Sequence, residues 1–198
     1  MAKILTIMGR LHLIMGCMFA QKTTELLRRV RRYQSIGHRV LIVNFIEDTR
    51  YGVNCIASHD KVLEAAHCVR RLEEIESLVS SYDVVAIDEG QFFPDLFACV
   101  TRWADTLAVD VVVAGLSGDA ERRPFGDMLR LVPHAEEVVH LHALCVLCRD
   151  GTAASYSKRT VIESAESIQI GTAKSIQIGA TESYQPVCRS HYLAYVSL

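Results

Sequence analysis

Leu11 to Met15 is a short apolar run, and the chain then reads Gly16-Cys17-Met18-Phe19-Ala20-Gln21-Lys22-Thr23-Thr24 before a helical spacing begins. A buried strand, a tight turn and a helix N-terminus in that order make a phosphate-binding loop. Successive backbone N–H groups face the anion, a lysine reaches its far end, and the next hydroxyl serves Mg2+. Lys22 and Thr23 supply those two side chains. The usual pattern has a second glycine just before the lysine, and here Gln21 stands in its place. Such a loop needs a strand before it, a helix after it and a carboxylate delivered from a neighbouring strand.

Val84-Val-Ala-Ile-Asp88-Glu89 fits that last requirement: four apolar residues end in two acids. At a strand end the chain is already turning, so one acid can face Mg2+ while the other faces substrate. A carboxylate near an alcohol can accept its proton as the alcohol attacks a phosphoryl group. Further apolar, β-branched runs lie at 39–45, 109–114 and 138–143. Between the runs, three- and four-residue spacing predicts helices from Thr24 to Gly37, Lys61 to Val79, Asp95 to Leu107 and, briefly, Asp127 to Leu131. Alternating strands and helices imply an α/β fold: a P-loop parallel sheet flanked by helices. Arg28, Arg29, Arg31 and Arg32 read as a solvated helix face, as do Glu73, Glu74 and Glu76 on the next helix. Trp103 reads as helix packing, and the loop 47–52 leaves a strand where α/β folds place ligand contacts.

Beyond Val138 the character changes. Cys145-Val-Leu-Cys148 and Cys188-Arg-Ser-His191 are two pairs with two-residue spacers, a pattern that suits a tetrahedral zinc ion. All four ligands are protein groups, so the site is expected to be structural. Zinc there would staple the loop 149–187 at its base. That loop holds a tandem unit, Ser167-Ile-Gln-Ile-Gly171-Thr-Ala-Lys followed by Ser175-Ile-Gln-Ile-Gly179-Ala-Thr-Glu. Two copies are too few for a solenoid, so they read as a local duplication in a loop. His140 and His142 alternate on one strand face, a spacing that permits metal but more often serves packing. The chain is expected to divide into residues 1–143, which bind ATP, and a small lid unit, residues 144–198.

A net charge of −2 argues against a nucleic-acid or anionic-membrane partner. No apolar run approaches the ~20 residues of a membrane span. Gly9, Arg10 and His12 interrupt the start, so no signal peptide is expected. Seven cysteines with a C-x-x-C pair favour a reducing, cytoplasmic setting over a disulfide framework.

The loop Gly16 to Thr24, Asp48-Thr-Arg-Tyr51, Asp88-Glu-Gly-Gln-Phe-Phe-Pro-Asp95, Arg123-Pro-Phe-Gly126 and the Cys/His quartet together resemble thymidine kinases of the cellular cytosolic and poxvirus type. The resemblance runs from about Arg10 to Tyr192. It implies transfer of the γ-phosphate of ATP to the 5′-hydroxyl of thymidine, with Mg2+. Gly16, Cys17, Met18, Phe19, Ala20, Gln21, Lys22 and Thr23 would cradle phosphate, with Thr23 and Asp88 serving Mg2+. Glu89 would be the base, and Arg50 would steady transition-state charge. Met18, Phe92, Leu116 and Phe125 would line the nucleoside pocket. A zinc-anchored lasso would cover the base through Ser157, Ile178, Gly179 and Tyr184. The resemblance also implies a homotetramer or homodimer.

The chain departs from the family at Gln21, at Ala20 in place of serine, and at Ala120 in place of an aromatic that contacts the base. Gly179-Ala180 replaces Gly-Gly, and two extra residues precede Tyr156. Two readings follow. One is an active thymidine kinase; the other is a kinase-derived nucleotide-binding or assembly protein with impaired turnover. A general P-loop ATPase fits less well, because hydrolysis alone requires no substrate-sized lid.

Overall fold

The computed structural model describes residues 8–48, 55–57, 63–160 and 183–194. The strands are β1 (Leu11–Gly16), β2 (Val40–Phe45), β3 (Cys55–Ala57), β4 (Leu63–Ala65), β5 (His67–Val69), β6 (Val84–Ile87), β7 (Asp110–Leu116) and β8 (Glu137–Leu141). Beyond them lie β9 (Ala143–Leu144), β10 (Ala153–Ala154), β11 (Tyr156–Arg159) and β12 (Tyr184–Val187). The α-helices are α1 (Lys22–Ser35), α2 (Glu76–Val79), α3 (Leu96–Thr106) and α4 (Arg189–Leu193).

Six strands form one sheet in the order β5-β2-β6-β7-β1-β8, and every pairing in it is parallel. Strands covered on both faces read as unbroken apolar runs, and Val84 to Ile87 and Val111 to Ala114 are buried throughout. Leu26, Leu27 and Val30 of α1 pack on one face with Ile14, Ile42 and Val112. Trp103 and Leu96 of α3 pack on the other with Leu13, Val85 and Val113. A third apolar cluster joins Cys17 and Ala20 of the phosphate loop to Ala143, Cys145, Ala154 and Val187. The carboxyl-terminal part of the chain is thereby held against the loop.

The helix expected from Lys61 to Val79 does not form as one element. Among its described residues, β4 pairs with β3, β5 adds to the edge of β2, and helical structure begins only at Leu72. The open edge of β2 explains this, since buried strand N–H and C=O groups need partners. The helical start is fixed by capping: Asp95 accepts from the Leu72 and Glu73 N–H groups at 3.2 and 3.0 Å. Glu74 accepts from the N–H of Arg71 at 2.8 Å. Glu76 is not on an outer face either. Its carboxylate accepts from the buried indole Nε1 of Trp103 at 2.7 Å and pairs with Arg102. Trp103→Phe is expected to lower the unfolding free energy by about 2 kcal/mol, from the lost charged hydrogen bond and some lost volume. Urea denaturation measures this, and an unchanged midpoint would contradict it.

The arginine face of α1 is also divided. Arg28, Arg31 and Arg32 are exposed, but Arg29 is buried. It pairs with Glu25 at 2.9 Å and with Glu137 at the start of β8 at 2.6 Å. Arg28 first, and then Arg29, hold Glu25 at about 2 against the opposing effect of its partial burial.

Candidate functional site

Strand β1 ends at Gly16, and an added Cβ there would run into the Leu141 carbonyl oxygen at the end of β8. Only glycine allows the two strand ends to meet so closely. Helix α1 begins at Lys22, and Gln21 before it takes a left-handed conformation, φ 60° and ψ 32°. Glycine takes that conformation most readily, and here glutamine takes it. The Gln21 side chain is exposed, so it does not fill the space inside the turn. A non-glycine residue in that region costs about 1 kcal/mol. Gln21→Gly is therefore expected to raise stability by up to about 1 kcal/mol, read as a higher melting temperature. A lower one would contradict this reading of the turn.

The Lys22 ammonium donates to the Cys17 carbonyl at 2.8 Å, so its side chain folds back over the loop. The Thr23 hydroxyl donates to Asp88 Oδ2 at 2.7 Å. Asp88 is buried just beyond β6, across β7 from β1. Residues 65 apart in sequence thus present a hydroxyl and a carboxylate together beside the turn. This donor set suits a hard cation such as Mg2+, which takes few protein ligands and the oxygens of a bound phosphate.

Glu89 follows Asp88 and also adopts a left-handed conformation, φ 52°, which turns the chain sharply after the strand. Its carboxylate accepts from Gln91 Nε2 at 2.6 Å, and Gln91 Oε1 accepts from the Leu116 N–H at 2.9 Å. Gln91 is buried and ties Glu89 to the end of β7. Sequence reasoning assigned Gln91 no part; its place between the acids and Phe92 was the available signal. The Phe92 ring meets Phe125 edge-on at 5.4 Å and Phe45 at the same distance. Phe92, Leu116 and Phe125 are all half-buried.

On the other side of the loop, the Met18 N–H donates to Ser157 Oγ at 2.9 Å, and Cys17 Sγ lies 3.3 Å from the Ala154 carbonyl. Tyr192 of α4 donates its hydroxyl to the Ala120 carbonyl at 2.7 Å, while the Arg122 guanidinium lies 4.6 Å from the centre of its ring. Tyr184 accepts from Arg159 at 3.1 Å on the β11–β12 pair. Arg50, Ile178, Gly179 and the tandem unit lie outside the described residues.

Cys145, Cys148, Cys188 and His191 converge, with ligand atoms all within 4.8 Å of one another. His191 Nδ1 is 3.4 Å from each of the three sulfurs, and Cys148 and Cys188 are 3.8 Å apart at sulfur. A tetrahedral zinc ion with bonds of about 2.3 Å to sulfur and 2.0 Å to nitrogen needs ligand separations of about 3.5–3.8 Å. The quartet fits zinc. Burial opposes ionisation of Cys145, but N–H groups of Cys188, Cys148 and Leu147 outweigh it and bring the thiol down. Burial and the two neighbouring sulfurs push Cys148 up.

Residues 9–192 match the family model described as thymidine kinase. The chain belongs to the thymidine kinase family. That membership makes it a kinase, a phosphotransferase. It is 43% identical over 151 residues to the thymidine kinase of Rabbit fibroma virus (strain Kasza), covering 76% of this chain and 83% of that one. It is 40% identical over 184 residues to the thymidine kinase of Myxoma virus (strain Uriarra), covering 93% and 96%. Against the cytosolic thymidine kinase of Gallus gallus the identity is 38% over 184 residues, covering 93% and 77%. Among the described residues, no helix of this thymidine kinase family member is long and apolar enough to cross a membrane.

Proposed function

We propose that the protein transfers the γ-phosphoryl group of ATP to the 5′-hydroxyl of thymidine. The observation that carries this reading is the Thr23–Asp88 contact at 2.7 Å beside the turn that Lys22 folds over. Lys22 and the loop N–H groups from Gly16 to Thr23 bind the phosphates. Thr23 and Asp88 would hold Mg2+, which when bound neutralises phosphate charge. Glu89 accepts the 5′-hydroxyl proton as that oxygen forms its bond to phosphorus and the bond to the ADP oxygen breaks. Gln91 keeps the Glu89 carboxylate aimed, and Arg50 steadies the developing charge.

Met18, Phe92, Leu116 and Phe125 make the nucleoside pocket in this reading. Ser157, Ile178, Gly179 and Tyr184 belong to a lid unit, residues 144–198, that closes over the phosphate-binding unit, residues 1–143. Zinc on Cys145, Cys148, Cys188 and His191 anchors that lid. The protein works in the cytoplasm as a homotetramer or homodimer. An assay of ADP production with thymidine, deoxyuridine and deoxycytidine tests the substrate. Thymidine is expected to give the highest kcat/KM, and a preference for deoxycytidine would overturn the assignment.

A further inference from the structure

Outside the site already described, two imidazoles stand together where β8 runs out toward the phosphate loop. His140 is on β8 and His142 follows it, and their ring centroids are 5.0 Å apart with the planes at 68°. Both residues are exposed. Each ring has a hydroxyl neighbour from a different segment. Ser117 Oγ lies 3.5 Å from His140 Nε2, and Ser155 Oγ lies 3.1 Å from His142 Nδ1. One nitrogen of each ring is thus engaged. The arrangement resembles the common state of metal-binding histidines, in which one ring nitrogen is hydrogen-bonded and the other is the ligand.

From this juxtaposition we propose that His140 and His142 form a second transition-metal site, separate from the cysteine-rich centre. His142 lies just past the end of β8, yet its ring stands 5.0 Å from that of His140, so both imidazoles can reach one ion. Two protein ligands leave positions for water or an exogenous ligand. Neutral nitrogen donors select borderline divalent ions over Mg2+ or Ca2+. Partial desolvation of the ring, then His142, then Lys22 hold His140 below its ordinary pKa, which favours the neutral, ligating form at neutral pH. Leu141, between the two histidines, stands opposite Gly16 in the β1–β8 pairing, so an ion bound there would sit beside the phosphate loop.

The test is a calorimetric Ni2+ titration of the zinc-loaded, untagged full chain, with released zinc followed by a colorimetric indicator. One Ni2+ is expected to bind without zinc release. His140→Ala and His142→Ala should each weaken that binding by about a hundredfold or more, since even losing an outer partner of a metal ligand costs 10–100-fold. Affinities should rise from Co2+ through Ni2+ to Cu2+. Both substitutions fall on exposed residues, and an unchanged melting temperature checks that the variants remain folded. Unchanged Ni2+ affinity in folded variants, no Ni2+ binding by the native chain, or zinc released in step with Ni2+ uptake would each overturn the proposal.

Discussion

Glu89→Gln is expected to lower kcat by about 10²–10⁴-fold while leaving nucleoside binding nearly unchanged. That range is what a positioned general base contributes, and it corresponds to about 3–5 kcal/mol of barrier. The substitution keeps the size of the side chain and an oxygen that can still accept from Gln91 Nε2, now 2.6 Å away. The link from Gln91 to the Leu116 N–H also stays in place. In the proposed mechanism, what is lost is the capacity to take the 5′-hydroxyl proton. Steady-state kinetics and thymidine binding by calorimetry separate the two effects. A variant that binds thymidine normally and turns over at the native rate would remove Glu89 from the mechanism.

Removing zinc should have an equally large effect, on structure as well as on rate. Structural zinc sites in small domains carry about 10–16 kcal/mol of apparent binding free energy, as much as the whole stability of an ordinary domain. Here the quartet gathers β9, the turn after it, β12 and α4 around one point. Those segments also touch the phosphate loop through the Cys17, Ala20, Ala143, Cys145 and Val187 cluster, and β11, which pairs with β12, adds the Met18–Ser157 hydrogen bond. A chelator, or Cys188→Ser, is expected to abolish hydrogen-exchange protection in β9 to β12 and at the Met18 amide. The amides of β6 and β7 should keep theirs, because their neighbours lie within the six-stranded sheet. Turnover should fall with the lost protection. Intact protection at Ser157 and Met18 in zinc-free protein would show that the metal does not hold β9 to β12 against the loop.

The central sheet was legible because parallel strands covered on both faces must be apolar along their whole length, as Val84 to Ile87 and Val111 to Ala114 are. Strand β5 was not legible. His67-Cys68-Val69 has no such run, and its place was decided by the vacant edge of β2. Local spacing therefore suggested a helix where edge pairing prevailed. The same limit hid the burial of Arg29, whose partner Glu137 is 108 residues away, and the bridge from Gln91 to Leu116, 25 residues on.

The cysteine and histidine spacing was readable because each short turn places two ligands on one ion. At Gln21 the residue pattern and the backbone part company. The motif asks for glycine, yet the left-handed turn is formed with glutamine. The requirement of the loop is a conformation, and glycine is its easiest but not its sole source.

In the proposed reaction the phosphate loop, Asp88 and Glu89 deliver the ATP γ-phosphoryl group to thymidine. Incubating the zinc-loaded protein with γ-labelled ATP, Mg2+ and thymidine follows that transfer. Label is expected on the thymidine 5′-oxygen in equal amount to the ADP formed. Label appearing as inorganic phosphate at a rate that thymidine does not change would contradict it.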